Sequence, residues 1–248
     1  MSKVVIECRD NVAIVRLNNG VINAINTELV EDLSEAIHQV KTEVKGMVLA
    51  GGTKFFCIGL DLPVLLKLDR VGMSIFWDKF DQVIADLYTL PIPTACALAG
   101  HAVAGGTILA LSCDYRFVAS GRTYLGLNEI KLGVPVPYLP DLILRQIVGD
   151  RAATAVVYRG EMIEPQAALA IGLVDEVFSE DDLEEQAVGR IAELAVLSQP
   201  AFGFIKENRV RDNHHKFVLE RESNKKQFLD CWFQPSVMEL LGEAAKKF

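Results

Sequence analysis

Two short stretches carry glycine where packed secondary structure favours a side chain: FFCIGLDL at residues 55–62 and GHAVAGGTILALSCD at residues 100–114. Each follows a run with the pattern of a buried strand, and the second opens a helix at Gly105–Gly106. Glycine lets a ligand approach the backbone closely, and a helix N-terminus leaves N–H groups without intrahelical acceptors. Two such N–H groups aimed at one carbonyl oxygen would form an oxyanion hole, where each donor supplies about 3–4 kcal/mol of transition-state stabilisation. The same glycines also suit plain turns and close packing, because short glycine motifs are common. A third stretch, TYLGLNEIKLGVPVP at 123–137, sets Glu129 among Leu125, Leu127, Ile130, Leu132 and Val134. Desolvation there would raise its pKa and make a base usable near neutral pH. An exposed glutamate on an alternating strand, between Asn128 and Lys131, fits the local pattern at least as well.

Other chemistry-bearing residues point less far. His101 precedes the second glycine turn and reads as a loop or packing histidine before a catalytic one. His214 and His215 sit in a charged helical pattern and read as solvated. Asp61 and Asp114 follow tight turns, where carboxylates cap backbone or pair with arginine. Cys57 adjoins the first glycine turn, but nothing near it in sequence would lower its pKa.

The elements that must position these residues follow a regular rhythm. Runs 3–8 and 12–17 form a predicted hairpin across the turn signal RDN. After the Asn- and Gly-rich loop NNGVINAIN, residues 27–40 place Leu29, Val30, Leu33, Ala36, Ile37 and Val40 at helical spacing. GMVLAGG and TACALAG are short buried strands, 74–89 a helix, GGTILALSC a short buried helix and DYRFVAS another strand. This predicts an α/β fold with strands covered on both faces. From about residue 180 the strands stop, and 180–197, the stretch around 200–210, 212–231 and 235–247 all read as helices. Phe202, Phe204, Phe217, Leu219, Phe228, Trp232, Phe233, Met238 and Leu241 in those helices call for packing on the body or on another subunit. The expected division is an α/β core with the active site over 1–190 and a helical region over 191–248.

Composition narrows the function classes. The chain has 248 residues, 50% of them hydrophobic, enough to bury a substantial core in one large domain or one and a half. A net charge of −8 argues against a general nucleic-acid binder, though an anionic ligand can still bind through local basic residues and helix N-termini. The five cysteines are odd in number and form no CxxC, so neither a disulfide framework nor a zinc site is expected. The N-terminus lacks a signal-peptide pattern, and no apolar run approaches the roughly 20 residues of a membrane span. The expected compartment is a reducing cytoplasm, with an organellar matrix also open.

Taken together, NAI at 23–25, FFCIGLDL, AGHAVAGG…SCDYR at 99–116 and GLNEIKLGVPVP at 126–137 resemble the enoyl-CoA hydratase/isomerase (crotonase) superfamily in order and spacing. LSCDYRFVASGRTYLGLNEIKLGVPVPY is most similar to the mitochondrial-type monofunctional Δ3,Δ2-enoyl-CoA isomerases. The resemblance implies a spiral of ββα units, a helical trimerisation region giving homotrimers or hexamers, an acyl-CoA substrate, and no metal or redox cofactor. It implies catalysis by Glu129 with the backbone N–H groups of Ile58 and Gly105 as oxyanion donors. It places Ala24, Ile58, Gly59, Leu60, Asp61, Leu62, Gly105, Ile108, Leu127 and Asn128 against substrate. Lys54, Lys206, Lys225 and Lys226 are candidates for CoA phosphates, with plain surface charge as the default. Hydratases of the superfamily use a second glutamate two residues after the glycine pair; here that position is Ile108. The resemblance therefore implies an isomerase, with a hydratase or other acyl-CoA enzyme, or a non-catalytic binding subunit, as alternatives.

Overall fold

The computed structural model describes residues 2–246. The chain opens with the expected antiparallel hairpin, β1 (Val4–Arg9) against β2 (Val12–Leu17), turned through Asp10 at φ 55°. Asn26 caps α1 (Thr27–Glu43), its Oδ1 accepting from the Leu29 N–H at 3.1 Å. The six apolar positions anticipated at helical spacing are the six buried residues of that helix. There follow β3 (Gly46–Ala50), β4 (Phe55–Cys57), α2 (Leu62–Leu65), α3 (Arg70–Thr89), β5 (Thr94–Leu98), β6 (His101–Val103) and α4 (Gly105–Leu111). Next come β7 (Tyr115–Ala119), β8 (Leu125–Gly126), a 3-10 turn at Glu129–Leu132, α5 (Tyr138–Arg159), α6 (Pro165–Ala170) and β9 (Glu176–Phe178). The chain closes with α7 (Leu183–Ala195), α8 (Gln199–Trp232) and α9 (Pro235–Ala245).

Two sheets result. The larger runs β1-β2-β3-β5-β7-β9 and is parallel from β2 onward; the smaller, β4-β6-β8, is also parallel. Parallel strands need cover on both faces, and their near-continuous apolar runs provide for it. On one face of the larger sheet, Val12, Val48, Ala95 and Phe117 meet Leu183, Ala187 and Ile191 of α7. The main core, including α1, α3 and α5, fills the other side.

Several boundaries differ from the sequence pattern. Helix α3 starts at Arg70 rather than 74, because Asp69 Oδ1 accepts from the Gly72 N–H at 2.7 Å and holds a first turn that glycine disguises. Residues 199–232 form one long helix where two were expected. Position 190 falls inside α7, whose buried face lies on the sheet. The last helix ends at Ala245, and the expected final residue, Lys247, lies outside the described residues.

The C-terminal helices pack on the chain's own body. Phe217, Phe228, Trp232 and Leu241 are buried in the main core, whereas Phe204 and Leu219 remain exposed. Helix α8 lies along α3 and α5, and α9 lies across α2 and the 3-10 turn. Both therefore reach the region where the glycine turns end.

Candidate active site

The first glycine turn follows β4. The Ile58 N–H donates to the Ile22 carbonyl at 3.1 Å, the Ile25 N–H to Gly59 O at 2.8 Å, and the Asp61 N–H to Ile25 O at 2.9 Å. These bonds zip the turn to the loop before α1. Gly59 takes φ +91°, which breaks the alternation of the extended chain. The Leu60 N–H consequently meets no acceptor among the described residues. Asn23, at φ 47°, braces the loop from behind: its Nδ2 donates to Phe56 O at 3.0 Å and its Oδ1 accepts from the Asn19 N–H at 2.8 Å.

The second turn joins β6 to α4. Ala104 adopts φ 49°, ψ −114°, a conformation that costs an alanine about 1–3 kcal/mol. It is held there by its N–H to Gly126 O at 2.8 Å and by its carbonyl, which accepts from the Ile108 N–H at 2.9 Å. The Gly105 N–H, at the start of α4, also meets no acceptor among the described residues. The two turns touch: a Cβ on Gly59 would lie 3.2 Å from Gly105 N, and one on Gly105 would lie 3.2 Å from Gly59 Cα. A Cβ on Gly106 would collide with the Cys57 carbonyl. The glycines are therefore demanded by the close approach of two backbones.

Both turns open into one cavity of about 620 Å³. Its lining includes Ile58, Leu60, Leu62, Ala104, Gly105, Ile108, Asn128 and Glu129. Glu129 begins the 3-10 turn and is 6% exposed, so it is not the outward-facing strand residue that its local pattern also allowed. Its Oε2 meets no hydrogen-bond partner among the described residues, and burial pushes the carboxyl up to about 7. Among the lining residues only Glu129 and the exposed Lys54 are titratable, and Ile108 is buried in the same wall. A carboxylate that titrates near neutrality beside free backbone N–H groups can move a proton next to a carbonyl whose developing charge is held.

The sequence profile of the enoyl-CoA hydratase/isomerase family matches residues 7–239. This chain belongs to that family. It is 26% identical to human mitochondrial enoyl-CoA delta isomerase 1 over 234 residues, 93% of this chain and 78% of the relative. It is 31% identical to a putative enoyl-CoA hydratase of Thermus thermophilus over 205 residues, 80% of each. The crystal structure of human mitochondrial Δ3-Δ2-enoyl-CoA isomerase superposes with a TM-score of 0.95 at 25% identity, covering 99% of this chain and 97% of that one. The fold is thus the crotonase-like α/β fold expected from the motifs.

Against what the family resemblance implied, the structure assigns places as follows. Ile58, Leu60, Leu62, Gly105, Ile108, Asn128 and Glu129 share the cavity wall. Ala24, Gly59, Asp61 and Leu127 are not part of it. Asp61 braces the turn, with Oδ1 accepting from the Val64 N–H at 3.3 Å and Oδ2 from Asn26 Nδ2 at 3.2 Å. The role expected of the Ile58 N–H is corrected: that group is already bonded to Ile22 O and is not free for a ligand. Lys206 is also corrected, since it is buried with its Nζ on Asp114 Oδ2 at 2.8 Å, away from the cavity. Lys225 is tied to Asp78, and Lys226 to Asp230. Lys54 alone of the four reaches the cavity lining. His101 is a brace, its Nδ1 accepting from the Tyr124 N–H at 3.1 Å. Burial pushes the Cys57 thiol up to about 12, which leaves it unreactive.

Sequence reasoning missed the deep aromatic lining, Phe80, Phe228 and Trp232. Phe228 and Trp232 read as positions that pack on the body or on another subunit, Phe80 did not stand out within the helix at 74–89, and only the fold shows that they border one cavity.

Proposed function

We propose that this family member is a Δ3,Δ2-enoyl-CoA isomerase working with a single carboxylate. The observation that carries the reading is the cavity wall itself: among the described residues Glu129 is its one carboxylate, and Ile108, the position that the family resemblance matches to the second glutamate of hydratases, lies in the same wall. The ionised Glu129 takes a proton from C2 of a 3-enoyl thioester, and the C2–H electrons enter a dienolate with its charge on the thioester oxygen. The N–H groups of Leu60 and Gly105 hold that charge. The dienolate then takes the proton back from Glu129 at C4, leaving the double bond between C2 and C3. Every bond is accounted for within the substrate and one side chain, so the chemistry calls for no metal or redox cofactor, and CoA is part of the substrate. Lys54, exposed at the cavity, suits a CoA phosphate. The exposed Phe204 and Leu219 suit a homotrimeric or hexameric assembly.

One feature favours hydration as a second reading. Asn128 Oδ1 lies in the same wall, buried without a partner, and could hold a water together with Glu129.

The test is the absorbance gained when purified enzyme is given a 3-enoyl-CoA. Conversion is expected in the native enzyme. Glu129→Gln should reduce it by about 10²–10⁴-fold, the contribution of general acid–base catalysis, while acyl-CoA binding is retained. Near-native turnover by the variant would overturn the reading.

A further inference from the structure

The cavity has more room than the reacting carbons alone need. In a 3-enoyl thioester the proton returns at C4, so a butenoyl chain ends at the reaction centre. The lining includes the exposed Lys54 and half-buried Ile22 and Phe55 at its mouth, and helix residues with almost no exposure at its deep end. That deep end is Phe80 (1% exposed), Phe228 (3%), Trp232 (0%) and Leu241 (0%). Its volume of about 620 Å³ sits mid-range among enclosed ligand sites, about 300–1,000 Å³.

The deep end is also rigid. Phe228 stacks on Trp77 with ring centroids 3.5 Å apart, Trp77 meets Phe80 edge-on at 6.0 Å, and Trp232 lies 5.7 Å from Phe228. Trp232 Nε1 is enclosed by protein, so the tryptophan offers ring carbon to the cavity. The two helices that carry these rings are tied at both ends of the stack. Lys225 Nζ bonds Asp78 Oδ1 at 2.9 Å on one side, and Arg70 pairs with Asp230 on the other.

We infer that Phe80, Phe228 and Trp232 form a fixed aromatic end wall that sets an upper limit on acyl length, giving a preference for chains of intermediate length. The inference rests on the acyl-CoA reading above but not on which reaction the site performs. Each methylene added before the wall buries apolar surface and should tighten binding about fourfold. The first methylene past the wall meets packed rings that cannot yield cheaply.

Calorimetric titration with saturated butanoyl-, hexanoyl-, octanoyl-, dodecanoyl- and hexadecanoyl-CoA reads this without turnover. Affinity should climb from butanoyl, peak between hexanoyl and dodecanoyl, and fall by hexadecanoyl. Phe228→Leu removes part of the wall and should move the peak to a longer chain. Ala244→Phe, which fills the cavity from α9, should move it to a shorter one. Circular dichroism verifies that each variant is folded, and one folded variant suffices. Affinity that climbs unbroken to hexadecanoyl-CoA, or a peak unmoved in the folded variants, would overturn the end wall. Loss of isomerisation with this profile intact would overturn only the proposed reaction.

Discussion

The two ends of the cavity are built on opposite principles. The reactive end is made of backbone: two glycine turns held to each other and to the Asn23–Ile25 loop, with one side chain, Glu129, added. The deep end is made of side chains from three helices. At the first end the chain gives up side chains so that peptide N–H groups come forward. At the second it spends its largest rings to fill space. Changes at the reactive end should therefore alter rate at every chain length, and changes at the deep end should alter which length is preferred.

After the loss expected of Glu129→Gln, the largest expected effect is at Gly59. An alanine there must hold φ +91° and place its Cβ 3.0 Å from Val103 O and 3.2 Å from Gly105 N. The Leu60 N–H would shift, and losing one oxyanion donor costs about 10²–10³-fold in kcat. Gly59→Ala should lower the rate for every acyl-CoA alike, measured by steady-state kinetics over a series of lengths. A rate lost only for long chains would erase the distinction between the two ends.

Glu129 gives a smaller, thermodynamic signal. Its folded pKa of about 7 lies above the ordinary carboxylate value of 4.5. Between those values the native state binds more protons than the unfolded state, so this group makes the fold less stable as pH rises from about 4.5 to about 7, with no further loss above. Glu129→Gln lacks this loss. It should match the native enzyme at acid pH and exceed it by at most about 3 kcal/mol above neutrality, as read by denaturant unfolding at several pH values. For the same reason, native turnover should rise with pH through about 7, because the ionised form is the base.

The smallest effect is at Ala104. Its φ of 49° stores strain that Ala104→Gly would relieve, and glycine's greater unfolded-state freedom takes back part of the gain. A net stabilisation of about 0.5–1 kcal/mol is expected, a Tm rise of about 1–4 °C by calorimetry. An unchanged or lower Tm would show that the turn carries no strain.

Much of the reactive end was legible in the sequence, because its requirements are local. Gly105–Gly106 at a helix start and a glutamate among leucines and isoleucines are visible as patterns of neighbours. The free N–H at the first turn lies two residues on from the expected one, since the Ile58 N–H is bonded to Ile22 O and Gly59 takes a positive φ. Neither is written in FFCIGLDL. The helical face of α1 was readable to the residue because periodicity and burial coincide there. The deep end was not legible. Phe80 and Phe228 are far apart in the chain, and only the pairing of α3 with α8 makes them one wall.

The central claim is that Glu129 works alone, opposite an apolar wall at Ile108. A water beside it would find Glu129 and at most the Asn128 Oδ1 as polar partners, the lower limit of the two to four that buried water ordinarily keeps. The direct measurement gives one enzyme preparation a 2-enoyl-CoA and, separately, the 3-enoyl-CoA of the same length, following 3-hydroxyacyl-CoA from the first and 2-enoyl-CoA from the second. Rapid isomerisation with negligible hydration is the expected result. Hydration as fast as isomerisation would contradict it and give Asn128 the water-holding part.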